Sequence, residues 1–90
     1  MTFVNAQEMR IKNPETFYAP PKEELDAIKE GNFVKVCAGN ERFWCRVDSI
    51  NEDKLKGTVD NELVHVDQHG LKFGDKIEFG KEHVYDIIPE

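Results

Sequence analysis

Phe33-Val34-Lys35-Val36-Cys37-Ala38-Gly39-Asn40-Glu41-Arg42-Phe43-Trp44-Cys45-Arg46-Val47 decides the fold. Apolar side chains recur at alternate positions on either side of Gly39-Asn40, a two-residue pair of the kind that closes primed hairpin turns. With that loop Ala38 opposes Glu41, Val36 opposes Phe43 and Val34 opposes Cys45. Apolar residues then meet apolar residues, and a slip of one position would turn a whole face inside out. The parity sends Val34, Val36, Phe43, Cys45 and Val47 to the interior. Phe33, Lys35, Cys37, Arg42, Trp44 and Arg46 go to the opposite face.

Working outward, Asn51-Glu52-Asp53 reads as a three-residue loop, and Lys54-Leu55-Lys56-Gly57-Thr58-Val59-Asp60 alternates again. That loop pairs Asp48 with Lys56, Arg46 with Thr58 and Trp44 with Asp60, and adds Leu55 and Val59 to the inner face. Asp48 opposite Lys56 would be a cross-strand charge pair on a solvated face. Further on, Leu63-Val64-His65-Val66 suggests a short strand or extended link, and Gly70-Leu71-Lys72-Phe73-Gly74-Asp75 a turn with Asp75 bonding nearby amides. Lys76-Ile77-Glu78-Phe79 is a strand. A helical turn at Glu82–Val84 and a final short strand close the chain.

Before the hairpin, Lys22–Glu30 predicts a short helix after Pro20-Pro21. Acids fall in its first turn, a lysine near its end and Gly31 just beyond. Its stripe is only Leu25 and Ile28, so it lies on the surface of something else. Residues 1–20 read as an extended arm pinned by Phe17 and Tyr18, and residues 21–90 as one small domain. The expected fold class is α+β: a small, strongly bent antiparallel SH3-like β-barrel of about five short strands, with one short N-terminal helix.

Ninety residues, 33% charged and 39% hydrophobic, make one domain. The net charge is −6, so phosphate electrostatics do not favour an extended nucleic acid. Residues 32–62, which hold Trp44, are the least acidic third, with six acids and five bases. No apolar run is long enough to span a bilayer and no signal peptide is visible, which leads us to expect a cytoplasmic protein. Cys37 on the outer face and Cys45 on the inner one point apart, so a disulfide between them is not expected.

From about Asn13 to Ile88 the chain resembles the YegJ-like group of small bacterial and phage domains of unknown function. The resemblance is carried by Pro14-Glu15-Thr16-Phe17, Gly31-Asn32-Phe33-Val34-Lys35-Val36, Glu41-Arg42-Phe43-Trp44 and Gly57-Thr58-Val59-Asp60-Asn61. Leu71-Lys72-Phe73-Gly74-Asp75-Lys76-Ile77-Glu78-Phe79 and His83-Val84-Tyr85-Asp86-Ile87 complete it. The segment Val64–His69 is longer than that pattern expects. The group brings no established catalytic residues, so the resemblance bears on fold alone.

The outer face would present Phe33, Lys35, Cys37, Arg42, Trp44, Arg46, Asp48, Lys56, Thr58 and Asp60. An indole beside Lys35, Arg42 and Arg46 is a stacking platform with cations in reach, suited to a small anionic ligand such as a nucleotide derivative. The bland alternative is that the N-terminal arm or helix covers Trp44, with arginine stems packed over it. His65, Asp67 and His69 would alternate on one strand face, yet no CxxC or HExxH motif supports a metal site, and surface histidines are the better reading. Arg42 opposite an exposed Cys37 would lower its pKa, but no histidine is tied to that thiol by sequence.

We therefore expect a non-catalytic binding module with no metal or cofactor. Its ligand-binding residues would be Trp44, Arg42, Arg46, Lys35, Asp60 and Thr58. The alternative is an acidic immunity- or inhibitor-type module that covers a basic partner surface. A homo-oligomer is compatible with either.

Overall fold

The computed structural model describes residues 3–88. Met1, Thr2, Pro89 and Glu90, the outer ends of the expected arm and domain, lie outside the described residues. The elements run α1 (Ala6–Lys12), α2 (Lys22–Asp26), β1 (Phe33–Ala38), β2 (Glu41–Asn51), β3 (Lys54–Val59), α3 (Val66–His69), β4 (Lys76–Gly80) and β5 (Asp86–Ile88), with a 3-10 turn at Lys81–His83. The strands form one antiparallel sheet in the order β4-β3-β2-β1-β5. The fold is thus a small α+β one.

The β1–β2 ladder pairs as the alternation requires, from Ala38 with Glu41 through Val34 with Cys45 to Phe33 with Arg46. Gly39 and Asn40 sit at φ of 53° and 63°, the left-handed pair that a type I′ turn needs. The inner face is dry: Val34, Val36, Phe43, Cys45, Val47, Leu55, Val59, Ile77 and Phe79 are buried in one cluster. Leu25 and Ile28 join it, as their short stripe implied.

The β2–β3 ladder departs from expectation. Its loop has two residues, Glu52-Asp53, and pairs Asn51 with Lys54, Ile50 with Leu55 and Ser49 with Lys56. A bulge between Val47 and Ser49 then takes up Asp48, and the ladder resumes with Val47 opposite Gly57 and Arg46 opposite Thr58. The extra residue cancels the shorter loop, so Arg46–Thr58 is as expected while Asp48–Lys56 is not formed. Parity flips across the bulge. Odd-numbered Val47 points inward before it, and even-numbered Ile50 packs on the core after it.

The sheet is curled. Phe3 bridges Ala38 on the free edge of β1, yet its ring centroid lies 5.8 Å from that of Phe79 on β4. A flat sheet would hold those two edges about 19 Å apart.

The N-terminal residues correct a second expectation, because they are not simply extended. Asn5 caps α1, its side chain accepting from the Glu8 amide at 3.0 Å. Glu8 lies in the first turn and Arg10 and Lys12 in the last, which suits the helix dipole. Conversely, α2 stops at Asp26, four residues before the expected Glu30. The Asn32 side chain takes the Lys29 amide at 2.9 Å and turns the chain into β1, with Gly31 at φ 91°.

Residues 63–66 form no strand. Val66–His69 is a short helix ended by Gly70 at φ 71°. The turn after it does hold the expected bond, the Lys72 amide donating to Asp75 at 3.1 Å. No helix among the described residues is long and apolar enough to cross a membrane.

Candidate functional site on the outer sheet face

The hairpin parity puts Phe33, Lys35 and Cys37 of β1 beside Arg46, Trp44 and Arg42 of β2 on the face away from the core. Their surroundings divide them into three groups, whereas the sequence suggested one.

Of the three cations expected around Trp44, Lys35 alone is seen resting on the indole. The indole is half-buried and the Lys35 ammonium lies 4.9 Å from its ring centroid, within cation–π range. Trp44 shares a hollow of about 260 Å³ with Phe33, Asp60 and Ile88. Ile88 is there because β5 pairs it with Phe33. Asp60 is there because its amide donates to the Trp44 carbonyl at 2.9 Å, while the Trp44 amide donates to the Asn61 side chain at 2.7 Å.

Arg42 belongs to a second group. Its guanidinium stacks 4.8 Å from the Tyr85 ring and 5.9 Å from that of Phe17, and Phe17 meets Tyr85 edge-on at 5.1 Å. The N-terminal segment crosses the sheet at this point and buries Cys37 with Ala6, Ala19 and Tyr85. The expectation of an exposed Cys37 is therefore overturned: the outer face is roofed above that residue. Burial first, and then the neighbouring Cys37, push the Tyr85 hydroxyl above its ordinary range, against the pull of Arg42. Lys35 and Arg42 line a common hollow of about 280 Å³ with Phe17, Tyr18, Tyr85 and Asp86. Lys35 thus lines the Arg42 hollow while its ammonium rests on the Trp44 ring.

Arg46 and Thr58 form the third group, gathered on Asp48 at the bulge. Arg46 Nε donates to Asp48 at 3.3 Å, and the Thr58 hydroxyl donates to the other Asp48 oxygen. Lys76 Nζ donates to Thr58 Oγ1 at 2.8 Å and lies 3.5 Å from Asp48. The Thr58 hydroxyl, then Lys76 and Arg46, hold the Asp48 carboxyl below its usual range despite partial burial. These two predicted binding residues are already engaged with each other's neighbours.

The histidine stretch is also corrected. His65 precedes α3, Asp67 lies in its first turn, and His69 turns inward, so the three share no face. His69 is buried, contrary to the surface reading. Its Nε2 lies 3.0 Å from Glu41, and its Nδ1 accepts from the Leu71 amide at 2.9 Å. Since Nδ1 accepts, the neutral ring carries its proton on Nε2 and donates it to Glu41. Glu41 also accepts the Val64 and His65 amides at 2.9 and 2.8 Å. His69 and those amides hold its carboxyl at about 2, against desolvation. This is a clamp between the β1–β2 hairpin and α3. No group of histidine, cysteine and acidic side chains among the described residues is placed to hold a metal ion.

Cys45 is buried, and desolvation, with smaller contributions from Asp48 and Asp60, pushes its thiol up to about 12. Both cysteines are free. Sequence reasoning missed Tyr85, Ile88 and the Glu41–His69 clamp. Ile88 ends, and Tyr85 immediately precedes, a short strand whose register no turn motif reveals. The clamp joins residues that are far apart in the chain. No family model matches the chain, and neither a curated protein nor a solved structure matches it.

Proposed function

We propose that this chain is a small binding domain without catalytic chemistry of its own, which holds a small anionic ligand bearing a flat ring on its outer sheet face. One observation carries the reading. In a chain of net charge −6, Lys35 and Arg42 border one hollow, and neither makes an ion pair among the described residues. Each instead lies on an aromatic ring, Lys35 on Trp44 and Arg42 on Tyr85. Ammonium and guanidinium groups supported this way keep their charge and their donors for an incoming anion. The overall acidity works against a long polyanion and favours a compact one. In this reading the curled sheet is a small, partly open SH3-like barrel, and the likeness to the YegJ-like group suggests a bacterial or phage source. Two free buried thiols suit a cytoplasm.

Trp44 is the only tryptophan, so its emission reports the site directly. Titration with mononucleotides should change that emission saturably, and Lys35→Ala with Arg42→Ala should abolish the change. A flat response to every phosphate-bearing compound would sink the proposal.

A second reading has its own support. Tyr18, Glu24 and Asp86 line an adjoining hollow of about 220 Å³ with Pro20 and Ile87, where two carboxylates beside an exposed tyrosine suit a lysine or arginine from a basic protein partner. Glu24→Gln would then weaken salt-sensitive capture of such a partner and leave the nucleotide titration unchanged.

A further inference from the structure

Building on the anionic-ligand reading, we infer that Asp60 selects the ring of the ligand: its carboxylate accepts the exocyclic amino group of a nucleobase stacked on Trp44. The ligand class is then a mononucleotide with an amino-bearing base.

The inference starts from a row of three residues across the sheet. Lys35 is the cross-strand partner of Trp44 on one side. Asp60 flanks Trp44 on the other, its amide bonded to the Trp44 carbonyl. Two strand spacings separate the ends of the row, about 10 Å. Lys35, Trp44 and Asp60 therefore follow one another across the sheet, with the Lys35 ammonium leaning over the indole.

Asp60 is rigidly placed but chemically unspent. Its backbone is fixed through Trp44, and its neighbours Val59 and Asn61 are both bonded, Val59 to the Asp75 carbonyl at 2.9 Å and Asn61 to the Trp44 amide at 2.7 Å. Its own carboxylate is exposed and makes no hydrogen bond or ion pair among the described residues. It borders the apolar hollow whose other walls are Trp44, Phe33 and Ile88. An ionised carboxylate only accepts hydrogen bonds. A ring lying in that hollow must therefore present a donor at the Asp60 end, with its anionic end at Lys35 and Arg42. A nucleotide whose base carries an amino group has its parts in this order. A base with a carbonyl at the same position would set two acceptors against each other.

The test compares adenosine with inosine monophosphate, and cytidine with uridine monophosphate, by Trp44 emission. Each pair exchanges an amino group for a carbonyl at one ring position. The amino-bearing member should bind about tenfold more tightly, the usual discrimination of one good base-edge contact. Asp60→Ala should remove that preference while leaving the fold, checked by circular dichroism, and the weaker phosphate-dependent binding in place. Equal affinities in the native protein, or a preference that survives Asp60→Ala, would overturn the role of Asp60 and leave the anion site standing. No response to any of the four nucleotides would overturn both.

Discussion

The two faces of the one sheet are built differently. On the inner face, large side chains from β1 to β4 merge into a single cluster, with Phe43 and Leu55 at 1% and 0% exposure. On the outer face, the buried cluster is Ala6, Ala19, Cys37 and Tyr85, at the N-terminal segment. Apart from Tyr85, that second cluster is made of small side chains. Since burial stabilises roughly in proportion to apolar area, the inner face sets global stability and the outer cover sets only local order.

The largest expected effect attacks the inner face directly. Phe43→Ala removes a ring from the centre of the cluster and should cost about 3–5 kcal/mol by urea denaturation, the usual range for a buried aromatic. In a domain of this size that approaches the whole stability. A loss no greater than that of an outer-face variant would erase the contrast between the faces.

Next comes Gly57→Ala. A Cβ there would lie 2.7 Å from the Arg46 carbonyl oxygen, so the bulged segment of β2 must shift. The cost should be about 1–3 kcal/mol, as for other overpacked positions, and amide shifts should spread from Gly57 to Asp48 and Arg46.

Phe17→Ala sharpens the comparison from the other side. It removes the edge contact with Tyr85 and should cost only about 1 kcal/mol, but Cys37 should then react with a thiol reagent well before global unfolding. Cys45, beneath the inner face, should stay unreactive under the same conditions. Equal labelling rates would show that the outer cover opens only when the core does.

The smallest effect is local and acid-driven. The Glu41 carboxyl is ordinarily near 4.5 and is held at about 2 in the fold. A depressed value means that the native state favours the ionised form, so its stabilisation is complete above 4.5 and fades as the pH falls toward 2. Hydrogen exchange at the Val64 and His65 amides should quicken across that window, ahead of amides in β1. Glu41→Gln should show fast exchange at both amides already at neutral pH.

These contrasts track what was legible in the chain. Parity alone fixed every inner residue of the hairpin, because one wrong step would bury Lys35 and Arg42 and expose Val36 and Phe43. The outer face had no such penalty. Where Arg42 rests depends on Phe17 and Tyr85, which arrive from opposite ends of the sequence. The cover was itself partly readable: Asn5 followed by Glu8 is a helix start with its cap and first-turn acid, overlooked because the apolar residues beyond it are sparse. Asp48 was misplaced for a physical reason. A loop one residue too long and a missing bulge give the same register at Arg46 and Thr58, so alternation could not tell them apart.

That degeneracy gives Asp48 an unusual status. The segments on its two sides keep their own phase, and each already matches β3, Ser49 facing Lys56 and Val47 facing Gly57. Excising the residue would leave every apolar pairing as it is. The strand thus carries a removable joint, whose side chain gathers Arg46, Thr58 and Lys76 into one polar knot and whose backbone gives the sheet part of its bend.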